Sequence, residues 1–388
     1  MRICFWSTSF QADNQALASY LSRLDGTQVW VALDEPERYL REPVNALLPF
    51  HGKLLDRQAP QTLEEIGAFA PDCVIVDNHL PKRRLARRLY VLWHGYGWRV
   101  DDLSVMKREL RKLVGSVEQP NPDFRWHAFG EPDRAYRIHH SGLAPENVLA
   151  LGSAYSDLLL PGAAGAPRLD RAAIRQHYSI DLTRPTVLLG MTWHHGGALA
   201  HWGDDAELHE RLAEHVGAAG ANLLIRMHDR QRYERADVQR MEQLASRHPH
   251  VQLKFKSSHP DSLVDLLLSS VLISNYSSLL NAFYYTGKPT IHIDPIARDR
   301  PNYGRKFRFG TLWTKKLQDP LASWKLPPED MGGLRANSFQ ELLDALSRSL
   351  TEPECCLAAA RAFVERHIAQ PDGSSCERIA ARLRDWIG

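Results

Sequence analysis

Three short stretches hold the residues whose types and spacing could do chemistry. In WHGYGWR (93–99), His94 follows the apolar run LYVL, and Gly95 and Gly97 free the backbone for a tight turn. In RMHD (226–229), Arg226 and His228 stand at i and i+2 after NLLI, so an extended chain projects them to one side. In NYSS (275–278), hydroxyls and backbone N–H groups follow SVLIS and open a helix, a ready place for phosphate oxygens. An imidazole near neutral pKa can take a proton, and the Arg and Ser groups can meet anionic charge.

Each stretch also has a plainer explanation. A strand-end His is commonly a hydrogen-bonded structural residue, Arg226 fits a structural salt bridge, and Ser277 and Ser278 fit helix capping. Their recurrence at successive strand ends favours a site.

The elements that must position them are alternating β-rich and amphipathic runs, the sign of βαβ units and a parallel sheet. Strands are expected at 2–6, 28–33, 73–77, 90–93, 126–129 and 148–151. A Gly, Ala and Pro-rich linker (161–167) follows, then strands at 186–190, 222–226, 251–254, 271–274 and 290–293. The segment from about Pro353 reads as helical. The expected fold class is α/β, two Rossmann-like domains facing a cleft. Residues 1–165 and 166–352 make the halves, and 353–388 a helical segment.

Length agrees, since 388 residues exceed the roughly 250 to 300 at which single cores stop growing. The 48 basic and 46 acidic residues, net +2, argue against bulk nucleic-acid binding. Five cysteines without a C-x-x-C pair or a disulfide-like framework fit a reducing cytosol. The N-terminus lacks a signal-peptide h-region, and no window approaches the ~20 apolar residues of a membrane span. The expected location is cytoplasmic, with peripheral attachment to the inner membrane face left open. The basic runs PKRRLARR and MKRELRKL fit solvated helix faces or such a surface equally well.

VIVDNHLPKRRLARRLYVLWHGYGWR resembles the segment of CDP-glycerol glycerophosphotransferases, the teichoic-acid and capsule polymerase family, that carries Trp-His-Gly-Thr-Pro after an Asn-x-x-Pro turn. Trp93, His94 and Gly95 match, and Tyr96 and Gly97 replace Thr-Pro. Further matches run in family order. Ser9, Phe10, Asn14, Ala16 and Leu17 match its opening stretch, and Gly152 and Asp157 its Gly-x-Pro-Arg-Asn-Asp-x-Leu. Thr192 and Trp193 match a Pro-Thr-Trp-Arg station, and Arg226 and His228 an Arg-x-His-Pro station. LISNYSSLLNAFYYTGKPTIHID matches an Asp-Tyr-Ser-Ser donor motif, with Asn275 in place of Asp.

The resemblance implies a GT-B fold and transfer of a polyol phosphate from a CDP-linked donor to a hydroxyl of a glycan, polymer or lipid-linked acceptor, releasing CMP. It implies His94 and His228 as catalytic residues. Thr192, Trp193, Arg226, Asn275, Ser277 and Ser278 would lie on the donor side, and Ser9, Asn14, Gly95 and Arg99 on the acceptor side. No cofactor, metal or nucleic-acid partner is expected. The cluster His194, His195, His201 and His209 lacks H-E-x-x-H spacing and accompanying Cys. Two other readings stay open: a GT-B glycosyltransferase using a nucleotide sugar, and a catalytically silent scaffold of surface-polysaccharide assembly.

Overall fold

The structure is a computed structural model, and it describes residues 1–93, 95–96, 103–163, 167, 169–191, 199–228, 233–275, 277–293, 303–308, 311–316 and 330–388. Seven strands form the first sheet: β1 (Arg2–Trp6), β2 (Gln28–Leu33), β3 (Lys53–Asp56), β4 (Cys73–Val76), β5 (Arg88–Val91), β6 (Phe124–Ala128) and β7 (Val148–Ala150). Their order is β3-β2-β1-β4-β5-β6-β7, parallel throughout. A six-stranded second sheet uses β8 (Thr186–Gly190), β9 (Asn222–Met227), β10 (Val251–Phe255), β11 (Val271–Ser274) and β12 (Thr290–Ile293). An antiparallel hairpin of β13 (Tyr303–Arg308) and β14 (Thr311–Lys316) precedes its last strand, β15 (Leu334–Ala336). The order here is β10-β9-β8-β11-β12-β15, again parallel.

Parallel strands need long crossovers, and the helices that supply them cover both sheet faces, so central strands must be apolar on both sides. CVIV, VLIS and TVLLG are buried at every residue. Each expected strand is present within a few residues of its expected ends. The edge strands β3 and β15 and the hairpin were not foreseen. KLLD and LRA are too short and too polar at their ends to stand out from loop sequence.

The first strand order reverses between β1 and β4, the second between β8 and β11. Ligands of doubly wound sheets bind beyond the carboxyl ends of the strands at such a reversal. The chain therefore has two candidate crevices, one per sheet.

The C-terminal helices tie the halves together. Ala360 and Phe363 of the helix Leu357–His367 join a core containing Trp93, Phe129 and Tyr284, with the Phe363 and Tyr284 rings 4.6 Å apart. The last helix, Ser375–Ile387, returns to the first sheet, where Ile379, Ala380 and Leu383 pack with Ile3, Phe5 and Leu17. Each such Ile, Leu or Phe side chain contributes about 1.5–3 kcal/mol by burial. Asp157 anchors this helix by accepting from the Ser375 N–H at 2.7 Å.

Candidate active site

In the second crevice, β11 ends at Ser274 and the chain turns through the buried Asn275 into the helix Ser278–Tyr284. Ser277 caps that helix, its Oγ accepting from the Leu279 N–H at 3.3 Å. The capping explanation is thus correct for one of its bonds. Ser278 faces the other half of the molecule. Gly95 has φ +127°, and any side chain there would meet Ser278 Cβ at 3.1 Å and Oγ at 3.2 Å. Only glycine combines that backbone with that approach. The next residue is fixed too, because buried Asn281 donates from Nδ2 to the Tyr96 carbonyl at 2.8 Å. Tyr96 in turn has its hydroxyl 3.2 Å from Nδ1 of His367.

The Gly95 turn follows a strained residue. Trp93, at the end of the β5 segment, is 7% exposed and has φ +67°, a region a bulky aromatic side chain rarely adopts. Buried Arg137 holds it there, its guanidinium 4.9 Å from the Trp93 ring and 5.1 Å from Trp126. Such strain concentrates at functional positions.

Arg226 is positioned differently from the expectation of a direct phosphate ligand. Registered pairing of β9 with β10 sets Arg226 opposite Lys254, two cations side by side in the core. Asp265 resolves the repulsion. It receives Arg226 Nη1 at 2.5 Å, Lys254 Nζ at 2.8 Å and the Tyr178 hydroxyl at 2.5 Å, while Arg226 Nη2 donates to the His259 carbonyl at 2.6 Å. Burial pushes the Asp265 carboxyl up, but Lys254 and Arg226 outweigh it and hold the group below the usual carboxylate range. Neighbouring Asp261 lacks that balance, and burial pushes it up to about 6. The guanidinium thus lies under the crevice floor. His228, two residues on, is half-buried just past β9, its N–H bonded to the Tyr233 hydroxyl at 2.9 Å.

In the first crevice, Ser9 and Asn14 converge on a residue the sequence reading passed over, Ser7 at the end of β1. The Ser9 N–H and Asn14 Nδ2 both donate to Ser7 Oγ, at 3.2 and 3.3 Å. Ser7 Oγ donates to Asp77 at 2.6 Å, and Asp77 also accepts from the His79 N–H at 2.7 Å. Asp77, Asn78 and His79 sit in the DNHLP turn directly after the apolar strand CVIV. An acid and an imidazole closing a buried strand were the available signal.

His94, Arg99, Thr192, Trp193, His194 and His195 lie outside the described residues. The rings of His201 and Trp202 are tilted by 40° with centroids 4.5 Å apart, and His209 Nδ1 is 2.6 Å from the Asp205 carbonyl oxygen. Among the described residues no group of three or more His, Cys, Asp or Glu is placed to hold a metal ion. Part of the basic runs is paired with acids: Arg84 and Arg87 with Asp123, Lys107 and Arg111 with Glu118.

A family model for CDP-glycerol:poly(glycerophosphate) glycerophosphotransferase matches residues 142–384. The chain belongs to that family. It is accordingly a glycerophosphotransferase-like transferase. No curated protein matches it in sequence. Its fold is similar to that of the wall teichoic acid polymerase TagF, with a TM-score of 0.68 and 14% identity over 99% of this chain and 88% of that one. A UDP-GlcNAc 2-epimerase from Neisseria meningitidis bound to UDP-GlcNAc is similar at a TM-score of 0.53 and 16% identity, covering 99% and 100%. A glycosyltransferase from Rickettsia africae is similar at 0.51 and 10%, covering 100% and 98%. These likenesses are to GT-B architecture, the two-sheet arrangement described above.

Proposed function

We propose that the protein transfers a polyol phosphate, glycerol phosphate or a close relative, from a CDP-activated donor to a hydroxyl of a glycan, polymer or lipid-linked acceptor. The observation that carries this reading is the meeting of Gly95 with Ser278, which sets the Trp-His-Gly turn of the first sheet against the hydroxyl motif of the second. Family membership and the polymerase-like fold support it.

In this reading the donor diphosphate lies at Ser277, Ser278 and His228, with Thr192 and Trp193 as further donor-side residues and Asn275 supporting the turn from beneath. Arg226 serves from beneath by fixing the strand end that carries His228. His94 takes the proton of the acceptor hydroxyl. That oxygen bonds to the β-phosphorus, the bond from phosphorus to the bridging oxygen breaks, and CMP leaves with the electron pair. The reaction runs between the crevices, with Ser9, Asn14, Gly95 and Arg99 on the acceptor side. Domain limits near 165 and 352 fit this division, since the first sheet ends at Ala150 and the second spans Thr186 to Ala336.

Among the described residues no helix is long and apolar enough to cross a membrane. Attachment to a membrane surface through the basic runs belongs to the proposal. A donor screen tests the whole: CMP release from CDP-glycerol or CDP-ribitol is expected, and UDP or GDP release from sugar nucleotides alone would overturn it.

A further inference from the structure

The Ser7–Asp77–His79 cluster stands at the strand reversal of the first sheet, beyond the carboxyl ends of β1 and β4, where that architecture receives ligands. No step proposed above uses it. Asp77 and Ser7 are almost fully buried, whereas the His79 side chain is 45% exposed at the crevice edge. A buried carboxylate with an outward imidazole is an arrangement that fixes a ring rather than one that fills a core.

The hydrogen bonds define what the ring presents. Nδ1 of His79 lies 3.1 Å from Asp77 Oδ1 and 3.2 Å from Thr8 Oγ1. Burial pushes the Asp77 carboxyl up, but the bonds from His79 and Ser7 outweigh it and keep the group below the usual range, so it is an anion that only accepts. Nδ1 must therefore carry the hydrogen, which in the neutral tautomer leaves the lone pair on Nε2, the ring nitrogen away from Asp77. A second carboxylate, Asp34, stands close by at the end of β2 and is paired with Arg57 at 2.8 Å. Arg57 neutralises Asp34, so Asp77 is the carboxylate that disfavours a phosphate here. The cluster suits a neutral group that donates hydrogen bonds.

We propose that His79, with Thr8 beside it and Asp77 and Ser7 behind, is a subsite for the uncharged, hydroxyl-bearing end of the acceptor, with Nε2 accepting from an acceptor O–H. It rests on the transferase reading and specifies its acceptor as a polyol or sugar terminus rather than a phosphate terminus. His79 contacts that terminus, and Asp77 is a positioning residue that sets the ring's tautomer.

The test uses a glycerol phosphate oligomer ending in glycerol, with CDP-glycerol as donor. His79→Phe should raise the KM for the oligomer about threefold to tenfold, the worth of one neutral hydrogen bond. The KM for CDP-glycerol and the kcat at saturating oligomer should stay within twofold, and His79→Gln, which can still accept, should recover most of the loss. An unchanged oligomer KM in His79→Phe overturns the subsite while the transferase reading stands. Calorimetry of the oligomer without donor separates the two claims. Weaker binding to His79→Phe than to the parent, in a protein that does not turn over CDP-glycerol, would support the subsite and overturn the reading. Tighter parent binding of the same oligomer capped by a terminal phosphate would overturn the subsite.

Discussion

The two strand reversals are built alike and furnished with different polar groups. Beyond β1 and β4 the polar groups form a chain of hydrogen bonds from Asn14 through Ser7 to Asp77 and out to an exposed imidazole. Beyond β8 and β11 the strong charges are buried, Arg226 and Lys254 around Asp265, and the groups nearer the crevice are Ser277, Ser278 and His228. The cations beneath the second crevice are met by Asp265 and Asp261, and it is the hydroxyls and the imidazole nearer the crevice that suit a diphosphate. The hydrogen-bonded first crevice suits a neutral hydroxyl. A transferase needs one crevice of each kind.

The largest effect should come from the turn that joins them. His94→Ala should cut turnover by about two to four orders of magnitude with donor affinity little changed. Steady-state kinetics decide, and turnover within tenfold of the parent would move the base to another residue.

Next is the buried charge set of the second sheet. Asp265→Ala removes the carboxylate that Arg226 and Lys254 share, leaving Asp261 as the nearby acid on Arg226, and should destabilise the fold by about 3–5 kcal/mol in urea unfolding. A loss under about 1 kcal/mol would mean that water or another acid already shares their charge.

Gly95→Ala should act on both sides at once. The φ of +127° strains any side chain, and the 3.1 Å approach to Ser278 is tight enough that the turn or Ser278 must give by a few tenths of an ångström. A strain of about 1–3 kcal/mol is expected, seen as a fall in kcat with smaller changes in either KM. Unchanged kcat would show that the halves need not touch there.

The smallest effect is a pH dependence of the first sheet's anchoring. Burial pushes the Asp13 carboxyl up to about 6 from an ordinary 3.8, against bonds from the Tyr155 N–H and Ser153 hydroxyl at 3.0 Å each. A folded value above the unfolded one makes protonation favour the fold. Its contribution is therefore complete below about 3.8 and lost as pH rises through about 6. The stability of the parent relative to Asp13→Asn should grow as pH falls from about 7.5 to about 5. A difference independent of pH over that range would show that Asp13 titrates in the fold at its ordinary value rather than near 6.

What the sequence made legible follows from how local each signal is. Apolar runs such as VLIS and the hydroxyls after them are contiguous, so the strands and the Ser277 turn could be read directly. The fate of Arg226 could not, because Asp265 lies 39 residues away and reaches it only once β9 and β10 are paired. Ser7 and Asp77 are 70 residues apart and meet only through β1–β4 pairing. The close approach of Gly95 to Ser278 likewise depends on the packing of one half on the other. The family resemblance reached across such distances for Ser9, Asn14 and Gly95, whose types it names. It gave no sign of His79, which lies inside a stretch read only for its Asn and Pro.

The contrast between the crevices is tested most directly by the dissociation constant of CMP, measured by calorimetry in three proteins. Replacing both Ser277 and Ser278 by Ala should weaken CMP strongly, since a hydrogen bond to a charged group is worth about 1.5–3 kcal/mol, roughly tenfold or more for each bond. His79→Phe should leave it within twofold of the parent. Equal weakening in both variants, or weakening in His79→Phe alone, would contradict the division of the two crevices between donor and acceptor.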